Sequence, residues 1–215
     1  MKRGGPTRLG IGLLVVIVAA AVIGGVIWVG RNVLGGGKSS DTAEQVSAGQ
    51  KLLNKPSAAT AVRLSVRGPI TAEEEHYSIA ITVSAGAREL VVWRGYDGTV
   101  MKKIDLDNSA GSFNDLAAAL NRAGMMQKVS GADNGNQGIC AVGQLIQFAV
   151  LDGDKTAEEL WTTSCAGLKG NFDGLAANVI DLFLNQIPVA RSTIDAAKNT
   201  LNQEQTTASL KALGY

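Results

Sequence analysis

Three kinds of hydrophobic patterning follow one another along this chain. The first is unbroken: Leu9–Val29 reads LGIGLLVVIVAAAVIGGVIWV, 21 residues without a charge. A helix of that length rises about 31 Å, close to the roughly 30 Å of a bilayer's hydrocarbon core. The pattern therefore predicts a transmembrane anchor over residues 9–30. Ala19-Ala20-Ala21 offers a signal-peptidase site, yet apolar residues continue past it to Val29, whereas such sites end an apolar run. Lys2, Arg3 and Arg8 precede the span, while only Arg31 and Lys38 follow it closely. Basic flanks stay cytoplasmic, which sets residues 1–8 inside and the remainder outside.

The second pattern has a period of two. Residues 31–59 form a spacer with Gly35-Gly36-Gly37 and a short helical signal, which Ser40 or Asp41 can cap and to which Glu44 can supply a capping-box acid. From Ala61 onward Val62, Leu64 and Val66 alternate with Arg63, Ser65 and Arg67, the mark of a half-buried strand. Tyr77, Ile79, Ile81 and Val83 repeat it, and Ser84-Ala85-Gly86-Ala87 turns the chain into a third strand, Glu89 to Tyr96. Asp97-Gly98 suits a two-residue type I′ hairpin into a fourth, Thr99 to Leu106. Residues 140–151 and 154–165 make a final pair around Asp152-Gly153.

The third pattern is helical. Over 112–123 Ser112 can cap, Phe113, Leu116 and Leu120 form the stripe, and Gly124 stops the helix. A second helix spans 172–186, with Leu175, Val179, Leu182 and Phe183 inward and Pro188 as terminator. Residues 127–139 are polar and glycine-rich, hence a loop, and 189–215 read as a polar, loosely helical or disordered tail. The expectation is an α+β protein: an N-terminal transmembrane helix, then an exported domain over 60–188 with an antiparallel sheet of about six strands and two helices on one face.

Composition narrows the chemistry. Of the 20 lysines and arginines, Lys2, Arg3, Arg8 and Arg31 lie before residue 32, leaving 16 bases against 19 acids in the exported part. A domain with that balance is poorly suited to a phosphate backbone, so no nucleic-acid partner is expected. One histidine and two cysteines are too few for a four-ligand His/Cys zinc site, and no other metal or cofactor is expected. Asp105, Asp107 and Ser109 alternate as in a calcium loop, but Ala110 and Leu116 occupy its glycine and bidentate-acid positions. Asp133-Asn134-Gly135-Asn136 fits an Asn/Gly-rich loop better than a cation site.

The cysteines carry the sharpest expectation. A two-residue turn at Asp152-Gly153 sets Cys140 opposite Cys165 at a non-hydrogen-bonded site, where Cα atoms lie about 4.5 Å apart, close enough for a disulfide. The same register puts Lys155 and Glu159 on the face of Ile146, Phe148 and Val150, unless a bulge turns them outward.

Leu160-Trp161-Thr162-Thr163-Ser164-Cys165 is similar to the strand-end Thr-Leu-x-Thr-Cys motif of sortases, which are also small, anchored and exported. That resemblance implies a cysteine transpeptidase with Cys165 as nucleophile, supported by a histidine and an arginine. His76 is the sole histidine, Arg191 is the first arginine after Cys165, and a bridged Cys165 offers no thiolate. Arg67-Gly68-Pro69-Ile70, Gly138-Ile139-Cys140-Ala141, Thr162-Thr163-Ser164-Cys165 and Gln186-Ile187-Pro188, behind the apolar span, resemble single-pass membrane-anchored exported proteins of candidate-phyla bacteria, a group that brings no assigned activity. The order of strands, helix, hairpin and helix is also similar to small secreted inhibitor domains, which implies an extracellular protease inhibitor as another reading.

The leading expectation is a non-enzymatic, membrane-anchored extracytoplasmic binding module for a protein or cell-envelope partner, held off the bilayer by its spacer. About 29 flexible residues span roughly 30 Å r.m.s.. Protease added to cells lacking an outer barrier should digest the domain and leave a membrane-bound N-terminal stub. Release of a soluble species beginning near Val22 would refute the anchor.

Overall fold

The computed structural model describes residues 46–132, 135–136, 140–168 and 170–212, with side chains to residue 203. Residues 9–30, and with them the anchor, lie outside the described residues, as do Ser40, Asp41 and Glu44. No helix among the described residues is long and apolar enough to cross a membrane.

Among the described residues the architecture is α+β, an open antiparallel six-stranded sheet with four helices. In chain order the elements are α1 (Ala48–Asn54), β1 (Thr60–Arg67), β2 (Tyr77–Ser84), β3 (Ala87–Arg94), β4 (Thr99–Asp107), α2 (Ala110–Arg122), β5 (Leu145–Asp152), β6 (Lys155–Thr163), α3 (Ala176–Leu184) and α4 (Ala190–Ala212). The sheet order is β4-β3-β2-β1-β5-β6. The period-two pattern explains why one face is dry. Val62 and Leu64 of β1 face Val83 and Ile81 on one side and Val150 and Phe148 on the other. Leu90, Val92, Ile146 and Leu160 extend the same layer, and Leu53, Phe113, Leu120, Val179, Phe183 and Ala197 close it from the four helices.

The opposite face is mixed: Ala61, Ala149 and Leu151 form a small buried apolar cluster there beside polar side chains. There Lys103 donates to Glu89 (2.7 Å) and Asp105 (3.3 Å), and Arg63 donates to Thr82 (3.2 Å). The hydrogen bond to Glu89, followed by that to Asp105, holds the Lys103 ammonium above its ordinary pKa. Alternation of this kind fixes register, because a slip of one residue would exchange the faces.

Each helix begins and ends for a local reason, and several boundaries differ from those the sequence suggests. Ser47 caps α1 by accepting Gln50 N–H at 3.2 Å, and Leu53 reaches the core, so packing extends into the spacer region. Ser109 rather than Ser112 caps α2: its Oγ accepts the Ser112 N–H at 3.2 Å, and Gly124 at φ 73° stops the helix as expected. The helix expected from 172 begins only at Ala176. Phe172 instead donates its N–H to Trp161 O (3.1 Å) and sets its ring 4.8 Å from that of Phe148, while Leu175 is exposed. The region expected as a loose tail contains α4, 23 residues long, which buries Ala190, Ala197 and Leu201. Two of those three are alanines, too small to mark a stripe in the sequence.

Phe148 is fully buried between the central strand and Phe172. Phe148→Ala should cost about 3–5 kcal/mol. A denaturant titration should therefore show a lower midpoint with an unchanged slope, and an unshifted midpoint would contradict the packing described.

Candidate functional site

Antiparallel pairing brings four connections together at one end of the sheet. Arg67 ends β1, Tyr77 begins β2, Arg94 ends β3, Thr99 begins β4, Leu145 begins β5 and Thr163 ends β6. The loop 68–76, the turn 95–98, the approach 140–144 and the exit 164–168 therefore share that end.

The turn is longer than expected. Arg94 pairs with Thr99, so residues 95–98 form a four-residue connection, not a two-residue turn at Asp97-Gly98. Gly95 and Gly98 both have positive φ (74° and 76°), which L side chains adopt at a cost. Asp97 Oδ1 accepts from Thr99 N–H at 3.2 Å. Loop 68–76 clasps this turn. Glu73 Oε1 accepts from Tyr96 N–H at 2.8 Å, Gly95 N–H donates to His76 O at 2.9 Å, and Tyr96 Oη donates to Thr71 O at 2.9 Å. A side chain at Gly95 would run into the Glu73 carboxylate. His76 is 3% exposed, stacked on Tyr96 with centroids 4.0 Å apart, and its Nδ1 lies 3.0 Å from Pro69 O. The geometry makes His76 part of a loop clasp.

Cys140 and Cys165 are joined as a disulfide with Cα atoms 5.7 Å apart, but not by the expected route. The hairpin turn is Gly153-Asp154, closed by Asp152 opposite Lys155, and a bulge between Val150 and Leu151 leaves Ala157 unpaired. Phe148 consequently faces Leu160 rather than Ala157. This register keeps Leu160 on the dry face and Glu159, opposite Ala149, on the wet one, which resolves the conflict that the simpler register creates. The strands end at Leu145 and Thr163, so both cysteines lie beyond them, and Cys140 takes a left-handed φ of 62°.

The bridge is one of several ties between these loops. Gln144 N–H donates to Ser164 Oγ at 2.7 Å, Ser164 N–H to Gln144 O at 3.0 Å, and Ile70 N–H to Ala141 O at 2.8 Å. Gln144 Nε2 donates to Tyr77 Oη at 2.8 Å. Gly143 sits so close that an added Cβ would lie 2.6 Å from Cys140 Sγ and 2.9 Å from Cys165 Sγ.

Of eight exposed large apolar residues among the described ones, five lie at this end: Ile70, Tyr96, Val100, Val142 and Leu168. Val142 is the most open, at 88%. The opposite end has the short connections 84–87, Ser-Ala-Gly-Ala, and 152–155, Asp-Gly-Asp-Lys. Glu73, Glu74 and Asp97, together with Arg67 and Arg94 at the strand ends, give the apolar end a charged rim of mixed sign. Periodicity finds strands, not the side on which their loops gather, so the sequence offered no sign of this cluster. Val142 in particular read as a strand position.

The arrangement supplies an apolar surface with a charged rim on braced loops. Cys165 Sγ is committed to Cys140, and no group of three or more His, Cys, Asp or Glu side chains among the described residues could hold a metal ion. The contact loop expected over 127–139 falls partly outside the described residues. Its start is fastened, with Val129 N–H donating to Asn171 O at 2.9 Å and Asp173 N–H to Gln127 O at 3.0 Å. No protein-family model and no curated protein matches the chain.

Replacing both cysteines with alanine should destabilise the domain in the lower half of the roughly 0–5 kcal/mol range for a disulfide, since the intervening hairpin already orders much of the loop. Gly143→Ala gives a sharper check. Its penalty should be large in the oxidised protein and shrink in part on reduction, when the sulfurs can rotate away while Ser164 Oγ, 2.7 Å from the added Cβ, stays. Equal penalties in the two states, measured by thermal melts with and without reductant, would show that the sulfurs do not confine position 143.

Proposed function

We propose that this chain is a membrane-anchored extracytoplasmic binding module whose contact surface is the apolar, disulfide-braced end of its sheet. Residues 9–30 span the bilayer with residues 1–8 in the cytoplasm, and the spacer holds the domain outside. The observation that carries the reading is the gathering of Ile70, Tyr96, Val100, Val142 and Leu168 on loops tied by a disulfide and cross-loop hydrogen bonds. Scattered exposed apolar residues are ordinary, whereas apolar residues gathered at one end, with a polar rim, mark interaction sites. Bracing also lowers the ordering cost of binding, because the loops already hold one geometry. A disulfide fits an oxidising compartment.

With its sulfur bridged, Cys165 serves this reading as a brace, and the domain needs no catalytic group.

A photo-reactive amino acid introduced at Val142 in cells should cross-link a discrete partner, and one at Asp154, on the opposite end, should not. With the photo-reactive residue kept at 142, Ile70→Glu combined with Leu168→Glu should abolish that product without lowering the melting temperature, since both side chains are exposed. Equal labelling from the two ends would remove the assigned surface.

A further inference from the structure

The two edges of the sheet are not equivalent. The free side of β6 is occupied by the segment at 171–172: Asn171 Oδ1 accepts the Trp161 N–H at 2.7 Å, and Phe172 N–H donates to Trp161 O at 3.1 Å. β4 has β3 on one side and no strand on the other. Among the described residues its two ends are claimed: the Thr99 N–H by Asp97 Oδ1 (3.2 Å), and the Asp107 carbonyl by Arg88, which donates from Nε (3.1 Å) and Nη2 (2.8 Å). Every second residue of an edge strand directs its N–H and C=O outward, so β4 presents a row of unused backbone groups.

Beside that edge runs a groove of about 430 Å³, floored by β4 and walled by α4. A bulge between Val92 and Trp93 leaves Met101 unpaired, and Met101 and Lys102 line the groove. Across from them are Ser192, Ala196 and Thr200, spaced along one flank of α4. The Ser192 hydroxyl donates to Val189 O (3.1 Å) and that of Thr200 to Ala196 O (3.0 Å), so the oxygens they present to the groove act as acceptors. The volume lies within the range of about 300–1,000 Å³ typical of ligand sites.

Charge selects among possible occupants. Among the described residues lining the groove, Lys102 is the charged one. Lys103 is held by Glu89 and Asp105, whereas Lys102 has no ion-pair or hydrogen-bond partner among the described residues. The charges on β4 guard the edge against indiscriminate pairing with apolar strands. A strand carrying carboxylates meets the opposite condition.

We propose that the groove between β4 and α4 binds an extended acidic peptide segment, which adds to the sheet alongside β4 and sets a carboxylate on Lys102. The backbone of such a segment supplies alternating donors and acceptors at strand spacing, which β4 needs and which no compact small molecule offers. One side chain facing the groove packs on Met101 and Ala196 between the hydroxyl oxygens. This site is separate from the apolar end and does not depend on it.

The test uses the full-length chain in detergent micelles and a fluorescent short peptide alternating glutamate and threonine, followed by anisotropy. Saturable binding is expected. The lysine–threonine counterpart, and a glutamate peptide N-methylated at alternate amides, should each bind at least about tenfold more weakly. Lys102→Glu should cause a loss of about tenfold and Lys102→Arg should retain binding, because a guanidinium still pairs with a carboxylate. Ala196→Phe should fill the groove and weaken binding similarly. Lys102 is exposed, so its variants report even if Ala196→Phe lowers stability. Absence of saturable binding, indifference to the sign of the peptide's charge, or full affinity of the N-methylated peptide would each overturn the proposal. Self-association abolished by Lys102→Glu would also overturn it, by giving the edge to a second copy. None of these readouts involves Val142, so this proposal and that for the apolar end can fail separately.

Discussion

β1 is the strand on which the rest of the structure depends, because it pairs on both sides along nearly its whole length. Thr60–Arg67 lies between β2, its neighbour in sequence, and β5, which begins far along the chain at Leu145. The β2 side forms through a short connection. The β5 side closes across β2, β3, β4 and α2, and the ordering cost of that closure must be met by burial. The residues that supply it are in view: Val62, Leu64 and Val66 lie in one layer with Val150, Phe148 and Ile146. Once Arg67 is opposite Leu145, loop 68–76 and the 140–144 approach must meet, and the Ile70–Ala141 hydrogen bond follows.

That meeting gives the disulfide its context. The bridge does not cross the β5–β6 ladder, where it would duplicate hydrogen bonds already made. It lies beyond the ladder's end and ties together segments that no longer pair as strands. Gly143 records the tightness of the junction, since there is no room for a Cβ beside the sulfurs. The left-handed backbone of Cys140 is a local cost that the surrounding ties sustain. The outcome is a stiff end that keeps its apolar side chains outward, paired with an opposite end where turns such as Gly153-Asp154 face water.

The dry and wet faces also explain why the sheet stays open. All four helices supply residues to one core layer, leaving the other face to cross-strand contacts such as Lys103–Glu89 and Gln147–Glu159. Covering one face only leaves two edges. The segment at 171–172 meets that need at β6, while β4 relies on charge and a bulge. The edge at β4 and the loops above it are thus different consequences of one arrangement.

Alternation along β1 and β2 was legible in the sequence because a half-buried antiparallel strand writes its faces into every second residue. The α2 stripe and its Gly124 stop were legible for the corresponding helical reason. The disulfide partners could also be read, although the register used to pair them was wrong. A turn displaced by one residue and a bulge at Ala157 are set by the need to bury Leu160 against Phe148, a demand made by strands far apart in sequence. Phe172 leaves its expected helix for the same kind of reason, since its ring is buried against Phe148 and its N–H is satisfied by Trp161. α4 read only as a loosely helical or disordered tail, because alanines pack well against a sheet yet leave little trace in a hydrophobic pattern. The gathering of Ile70, Tyr96, Val142 and Leu168 at one end had no sequence signature. Local periodicity determined which residues form strands and helices, whereas long-range pairing and burial alone decided which loops became neighbours.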